Sequence, residues 1–139
     1  MTMHPVECIC TLSRRCARAL TDIYDRALAP SGLKVTQYSL LRAIGRVEIP
    51  TLTGIAETTG LERSTLGRNL RVLEKSGMIT LSSGDDERTR VAALTDKARK
   101  ALRQAEPRWQ QVQEQMRSVL PKDVQKQLKL ISEALEKMD

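Results

Sequence analysis

The chain has 139 residues, enough for one domain with a substantial core or for a small domain plus an association element. Its net charge of +6 suits a polyanionic partner, although the excess is spread along the chain and forms no basic tail. Phe is absent and there are one Trp and two Tyr, which removes the stacking platforms of single-strand and RNA binders. No apolar run approaches ~18 residues, and the start, with acidic Glu7 and no long apolar run, does not resemble a signal peptide. A soluble cytoplasmic protein without a membrane partner is expected.

In chain order, residues 6–28 predict a first helix. Ile9, Leu12, Cys16, Leu20, Ile23 and Ala27 fall on one side at three- and four-residue steps, with Arg14, Arg15, Arg18, Asp22 and Arg26 elsewhere. Ala29-Pro30-Ser31-Gly32 ends it. Thr36 is expected to cap a second helix, with Tyr38, Leu41 and Ile44 inward, running to about Val47. Ile49-Pro50-Thr51 is long enough only for a minor strand.

Residues 53–77 predict two short helices around a tight turn. Ala56, Gly60 and Leu66 stand in helix-turn-helix order: a small residue at the crossing, a glycine in the turn, an apolar residue re-entering the core. Leu66, Leu70 and Leu73 form one stripe, and at ~100° per residue Ser64, Arg68, Arg71 and Lys75 fall opposite, with Thr65 flanking and Asn69 among the polar candidates. Short polar groups and arginines are the side chains that bond base edges and phosphates, so this helix is read as a DNA recognition helix. An ordinary amphipathic helix with a solvated face is the plainer alternative. Gly77 is a C-terminal cap. Met78–Leu81 and Arg88–Leu94 predict two strands around the polar turn Ser82–Glu87, a β-hairpin wing behind the recognition helix. Arg88 and Arg90 share one strand face and suit the minor groove. Asp85, Asp86 and Glu87 oppose simple attraction to DNA, and one of them is expected to hold an arginine in place. A solvated charged hairpin is the alternative there.

Thr95 caps a third long helix in which Ala98, Leu102, Ala105, Trp109, Val112, Met116 and Val119 step 4-3-4-3-4-3, with Pro107 expected to kink it. Pro121 starts a last helix carrying Val124, Leu128, Ile131, Leu135 and Met138. These stripes exceed what the middle domain can cover, so a homodimer through Ile9, Leu12, Leu20, Trp109, Val112, Met116, Leu128, Ile131 and Leu135 is expected. An intrachain three-helix bundle is the alternative. The expected architecture is mainly α with a small β-hairpin wing. Residues 1–30 form an N-terminal dimerisation helix, 31–94 a winged helix-turn-helix DNA-binding domain and 95–139 the C-terminal dimerisation helices.

The run Asp86-Glu87-Arg88-Thr89-Arg90-Val91-Ala92-Ala93-Leu94-Thr95 resembles the D-x-R-x5-L-T wing signature of the MarR family of bacterial transcriptional regulators. Leu73-Glu74-Lys75-Ser76-Gly77-Met78-Ile79 is similar to that family's recognition-helix end, and Gly32–Tyr38 to its approach to the second helix. Ala98 departs from the glycine many members have after L-T-x-x. The resemblance implies a triangular homodimer that represses a nearby promoter by binding a pseudo-palindromic double-stranded operator, nucleoid-associated while bound. It implies Ser64, Thr65, Arg68 and Arg71 in the major groove and Arg88 in the minor groove beside Asp86, with half-site centres ~10 bp apart. It also implies release by a small anionic aromatic ligand or an oxidant.

The three cysteines, Cys8, Cys10 and Cys16, all lie at the start of the first helix. On one helix Cys8 and Cys16 stand about 12 Å apart at 1.5 Å per residue, beyond the ~7 Å limit for a bridge, so a disulfide joins two chains or requires the helix start to unravel. Cys16 lies on the apolar stripe and is expected to be buried, whereas Cys8 and Cys10 near the positive helix end are better redox candidates. His4, Cys8 and Cys10 could ligate a soft metal, but with one His in the chain no metal centre is expected, nor any cofactor. An organic ligand between the first, second and fifth helices is the alternative trigger, lined by Arg15, Tyr38 and Trp109. A winged-helix protein-interaction module remains a rival of another class. No glycine-rich phosphate loop or catalytic His/Asp/Ser set suggests an enzyme.

Overall fold

The computed structural model describes residues 8–82 and 89–138. The elements are α1 (Ile9–Leu28), a 3-10 turn (Ala29–Ser31), α2 (Val35–Arg46), α3 (Leu52–Thr59), α4 (Arg63–Lys75), β1 (Ile79–Leu81), β2 (Ala92–Leu94), α5 (Asp96–Val119) and α6 (Val124–Glu136). This is a winged helix-turn-helix between an N-terminal helix and two C-terminal ones. No helix among the described residues is long and apolar enough to cross a membrane.

The helix starts show how much of the fold is locally encoded. Thr51 caps α3 by accepting the Gly54 N–H at 3.0 Å, and Thr95 caps α5 by accepting the Ala98 N–H at 3.2 Å. Thr36 does not cap α2, which begins one residue earlier at Val35. Two other side chains take the exposed donors there. The Val35 N–H donates to the Asp25 carboxylate of α1 at 2.8 Å, and the Lys34 N–H donates to Gln37 Oε1 at 3.0 Å. A carboxylate at a helix N-terminus also meets its positive dipole end, so α1 and α2 are joined electrostatically.

In the helix-turn-helix, Gly60 adopts φ +71, a left-handed conformation that ends α3 and turns the chain into α4. Leu66, Leu70 and Leu73 are at most 1% exposed and share one core with Leu41, Ile44 and Ile55. Each buried leucine contributes about 1.5–3 kcal/mol. Gly77, at φ +80, closes α4 in a Schellman motif, with Met78 N–H on Leu73 O (2.9 Å) and Gly77 N–H on Glu74 O (3.0 Å).

The hairpin is shorter than the sequence suggests. β1 pairs antiparallel with β2 in the register Ile79↔Leu94, Thr80↔Ala93, Leu81↔Ala92. Among the described residues the second strand begins at Ala92, and the residues at the hairpin neck also meet the segment before α3. Thr51 bridges Val91, and the Ala92 N–H donates to Pro50 O at 2.9 Å.

Along α5, Pro107 lies inside the helix without ending it. Ala98, Ala101 and Ala105 are buried, and small residues let α5 lie close to the core. Val112 and Met116 are also buried within the single chain, and Trp109 packs against the same core. Within the single chain α1 packs along α5, and Trp109 is stacked on Tyr38 of α2. Helical periodicity marks an apolar stripe but not the partner that covers it. Apolar surface left over lies elsewhere. Ile9 on α1 is 85% exposed, and Leu128, Ile131 and Leu135 on α6, which buries no residue, are about half exposed or more.

Truncating the α4 stripe tests this account. Leu70→Ala is expected to destabilise the fold by about 2–5 kcal/mol, read as a lower urea midpoint at unchanged slope; an unshifted midpoint contradicts it.

Candidate nucleic-acid interface

With the leucines inward, α4 presents Ser64, Arg68, Arg71 and Lys75 to solvent, and Thr65 stands half-buried at their edge. Contacts along this face are short-range. Arg68 Nη2 donates to Thr65 Oγ1 at 3.4 Å, and Ser64 Oγ donates to Glu62 Oε1 at 3.2 Å. Arg68, Arg71 and Lys75 have no carboxylate partner among the described residues. Unpaired cations on an exposed helix are free to neutralise phosphate or to bond guanine edges. Asn69 sits apart from this group, on the flank of α4 in a groove with Lys34, the N-cap of α2, and with Thr36 and Gln37 of its first turn. Val72, 55% exposed, was not singled out from the sequence; it places an apolar group beside the polar ones, a shape that suits a thymine methyl.

At the wing, the Arg90 Nε donates to Ser82 O at 3.2 Å across the neck of the hairpin. Arg88 and the carboxylates Asp85, Asp86 and Glu87 lie outside the described residues, as does His4.

The residues expected to line an effector cleft divide. Tyr38, only 2% exposed, stacks on Trp109 with ring centroids 5.9 Å apart and an interplanar angle of 27°. Arg15 is exposed on α1 and does not line the cleft that Tyr38 borders. The cation there is Arg42. Its guanidinium carbon sits 5.5 Å from the Tyr38 ring and 5.6 Å from the Trp109 ring, and Nη1 donates to Tyr38 Oη at 2.9 Å. Tyr38 and Arg42 are four residues apart on α2, a spacing that places them on one face and was legible in the sequence. Tyr38 and Arg42 border a cleft of about 240 Å³ that also takes in Arg46, Leu102 and Glu106, and Trp109 stands behind Tyr38 rather than in its lining.

A second, more apolar cleft of about 290 Å³ opens between α1, α5 and α6, lined by Leu20, Met116, Leu120 and Leu128 among others. Tyr24 donates to Gln113 Oε1 at its edge. Burial pushes the Tyr24 phenol above its usual value, with Arg117 acting in the opposite sense.

All three cysteines are exposed. For Cys16 this corrects the expectation of burial: no described residue covers its side chain, although Leu12 and Leu20, one turn to either side on the same stripe, are partly buried. Cys8 stands at the N-cap of α1 without a capping hydrogen bond from its side chain, and the nearby Thr11 backbone and hydroxyl, then the Cys10 backbone, hold its thiol below the ordinary cysteine value. Among the described residues no three His, Cys, Asp or Glu side chains gather as a metal site.

Comparison with known proteins gives this geometry its context. A MarR family model matches residues 31–89. The M. tuberculosis transcriptional regulator MosR, solved in complex with DNA, is 38% identical over 94% of this chain and 98% of its own, with a TM-score of 0.85. CouR from Rhodococcus jostii RHA1, solved with p-coumaroyl-CoA, is 25% identical over 93% of this chain and 91% of its own, with a TM-score of 0.68. The uncharacterized HTH-type transcriptional regulator YwoH of Bacillus subtilis is 29% identical over 84 residues, and this chain spans about three fifths (61%) of its length. A helix-turn-helix with an arginine-bearing outer face, a hairpin behind it and a match along nearly all of MosR place this chain in the MarR family of transcriptional regulators.

Proposed function

We propose that this regulator acts as a homodimeric repressor that reads a pseudo-palindromic operator with two copies of α4 and releases it when a small effector binds. The observation that carries the reading is the exposed row of Ser64, Arg68, Arg71 and Lys75 over a fully buried leucine stripe. In this arrangement Arg68 and Arg71 contact base edges or phosphates, Thr65 and Asn69 contribute polar contacts, and Arg88 and Arg90 serve the wing. MosR, similar along its length, was solved in complex with DNA, which supports the same partner here. Selecting bound fragments from the source genome identifies the operator and tests the reading; recovery of fragments without a shared sequence overturns it.

With that operator, Arg68→Ala and Arg88→Ala are each expected to weaken binding by about 1–3 kcal/mol, roughly 5- to 150-fold. Affinity is also expected to fall with salt at a slope near −0.9 per phosphate contact. Unchanged affinity for both variants in a fluorescence-anisotropy titration contradicts the assignment.

The homodimer is supported by the apolar side chains that α1 and α6 leave in water. Exposed apolar side chains recurring along a helix, as Leu128, Ile131 and Leu135 do on α6, invite association. Ile131→Glu with Leu135→Glu is expected to convert the dimer to a folded monomer in sedimentation equilibrium and to lower operator affinity at least tenfold. Persistence of the dimer moves the interface away from α6.

For the effector, the Tyr38–Arg42–Trp109 stack suits a planar aromatic anion, which can lie against the rings while the guanidinium takes its charge. That CouR was solved with p-coumaroyl-CoA supports an organic effector. A second trigger is favoured by the exposed, acidified thiol of Cys8. Its thiolate attacks a peroxide oxygen, the O–O bond breaks and the leaving oxygen takes a proton to leave as water. The resulting sulfenic acid then condenses with a thiol of the other chain, releasing a second water. Aromatic carboxylates and hydrogen peroxide are tested side by side for release of labelled operator. If the organic reading holds, Arg42→Ala abolishes release by the carboxylate and the quenching of Trp109, the sole tryptophan, that accompanies it. If the thiol reading holds, Cys8→Ser abolishes release by peroxide. Release unaffected by a substitution removes the corresponding trigger.

A further inference from the structure

The three residues that follow the recognition helix, Ser76-Gly77-Met78, are held by the first turn of α5. The Lys97 ammonium donates to Ser76 O at 2.7 Å, the Thr95 hydroxyl lies 2.6 Å from Gly77 O and 3.1 Å from Met78 O, and the Thr95 N–H donates to Met78 O at 3.0 Å. Ser76 is the C-cap of α4, where the partial negative charge of the helix gathers, so a cation placed there is attracted to the helix end as well as bonded to it. The Lys97 stem lies over Gly77: a Cβ at position 77 would come within 3.7 Å of Lys97 Cδ. Thr95 serves two ends at once, since the same oxygen that caps α5 by accepting the Ala98 N–H also donates to the turn.

We infer that Lys97, with Thr95, is a positioning residue for DNA reading: it clamps the C-terminal end of α4 to α5, so that the long helix and the recognition helix move as one body. Lys97 takes no part in the core, since its side chain is exposed, and it lies outside the row of residues proposed to meet DNA. The opposite arrangement holds the other side of the reading head, where the Asp25 carboxylate of α1 grips the start of α2. An anion on a helix N-terminus and a cation on a helix C-terminus both act through the dipoles they face. Any displacement of α5 against α2, whose junction carries the Tyr38–Arg42–Trp109 stack, is then carried directly into α4.

The inference rests on the two-headed dimer proposed above, and its test separates the two. Hydrogen exchange of residues 70–79 is measured in the full chain without DNA for wild type, Lys97→Met and Lys97→Arg. Binding is then measured to the operator and to a version with one base pair inserted between half-sites. In Lys97→Met the segment is expected to exchange at least threefold faster, with α2 unchanged. Wild type and Lys97→Arg are expected to bind the misspaced operator at least tenfold more weakly than the native one, and Lys97→Met less than threefold more weakly. A loosely held head can reach a displaced half-site, whereas simple loss of a surface charge weakens both operators equally. Unchanged exchange, or wild-type spacing discrimination in Lys97→Met, overturns the clamp. A wild type indifferent to spacing overturns the two-headed dimer instead, and the exchange result alone then decides the clamp.

Discussion

Burial of Leu66, Leu70 and Leu73 constrains everything else in the structure. Three side chains on one stripe of a thirteen-residue helix fix its rotation about its own axis, because turning α4 by one residue would swing a leucine into water and a charged group into the core. The outward direction of Ser64, Arg68, Arg71 and Lys75 is therefore a consequence of packing rather than an independent feature. The left-handed glycines at either side, Gly60 and Gly77, set where this helix begins and where it hands the chain to the hairpin.

The outer helices carry the second constraint. α5 is held to the reading head along its alanine face, Ala98, Ala101 and Ala105, and to α1 through Val112 and Met116. α6 turns back from its end with its leucines uncovered. This divides the apolar surface into a part satisfied within the chain and a part that is not. The aromatic pair Tyr38–Trp109, with Arg42 laid against both rings, spans α2 and α5 where the head meets the outer helices.

Features encoded by near neighbours in the chain were legible. The recognition stripe, the Gly60 turn, the Gly77 cap and the Thr95 N-cap all depend on residues within about one helical turn, so a repeat or a single residue type reveals them. Four others depended on distant partners. The start of α2 is capped by Asp25, ten residues upstream, so Thr36 looked like the cap and was not. The neck of the wing is also tied to Pro50 and Thr51, some forty residues upstream, a contact no local spacing announces. Cys16 shares the period of the α1 stripe and is nevertheless exposed. Arg15, expected beside Tyr38 and Trp109, is exposed on α1, and the cation that reaches the rings is Arg42.

By itself the sequence determined the sequence of elements, the inward and outward faces of α4 and the residues that end each turn, because helical period and cap chemistry are short-range physics. Whether an apolar stripe finds its cover in its own chain was decided only by the tertiary structure. The same holds for which carboxylate caps α2 and which lysine closes α4. Each of these depends on groups brought together from distant parts of the chain, and no local spacing records that meeting.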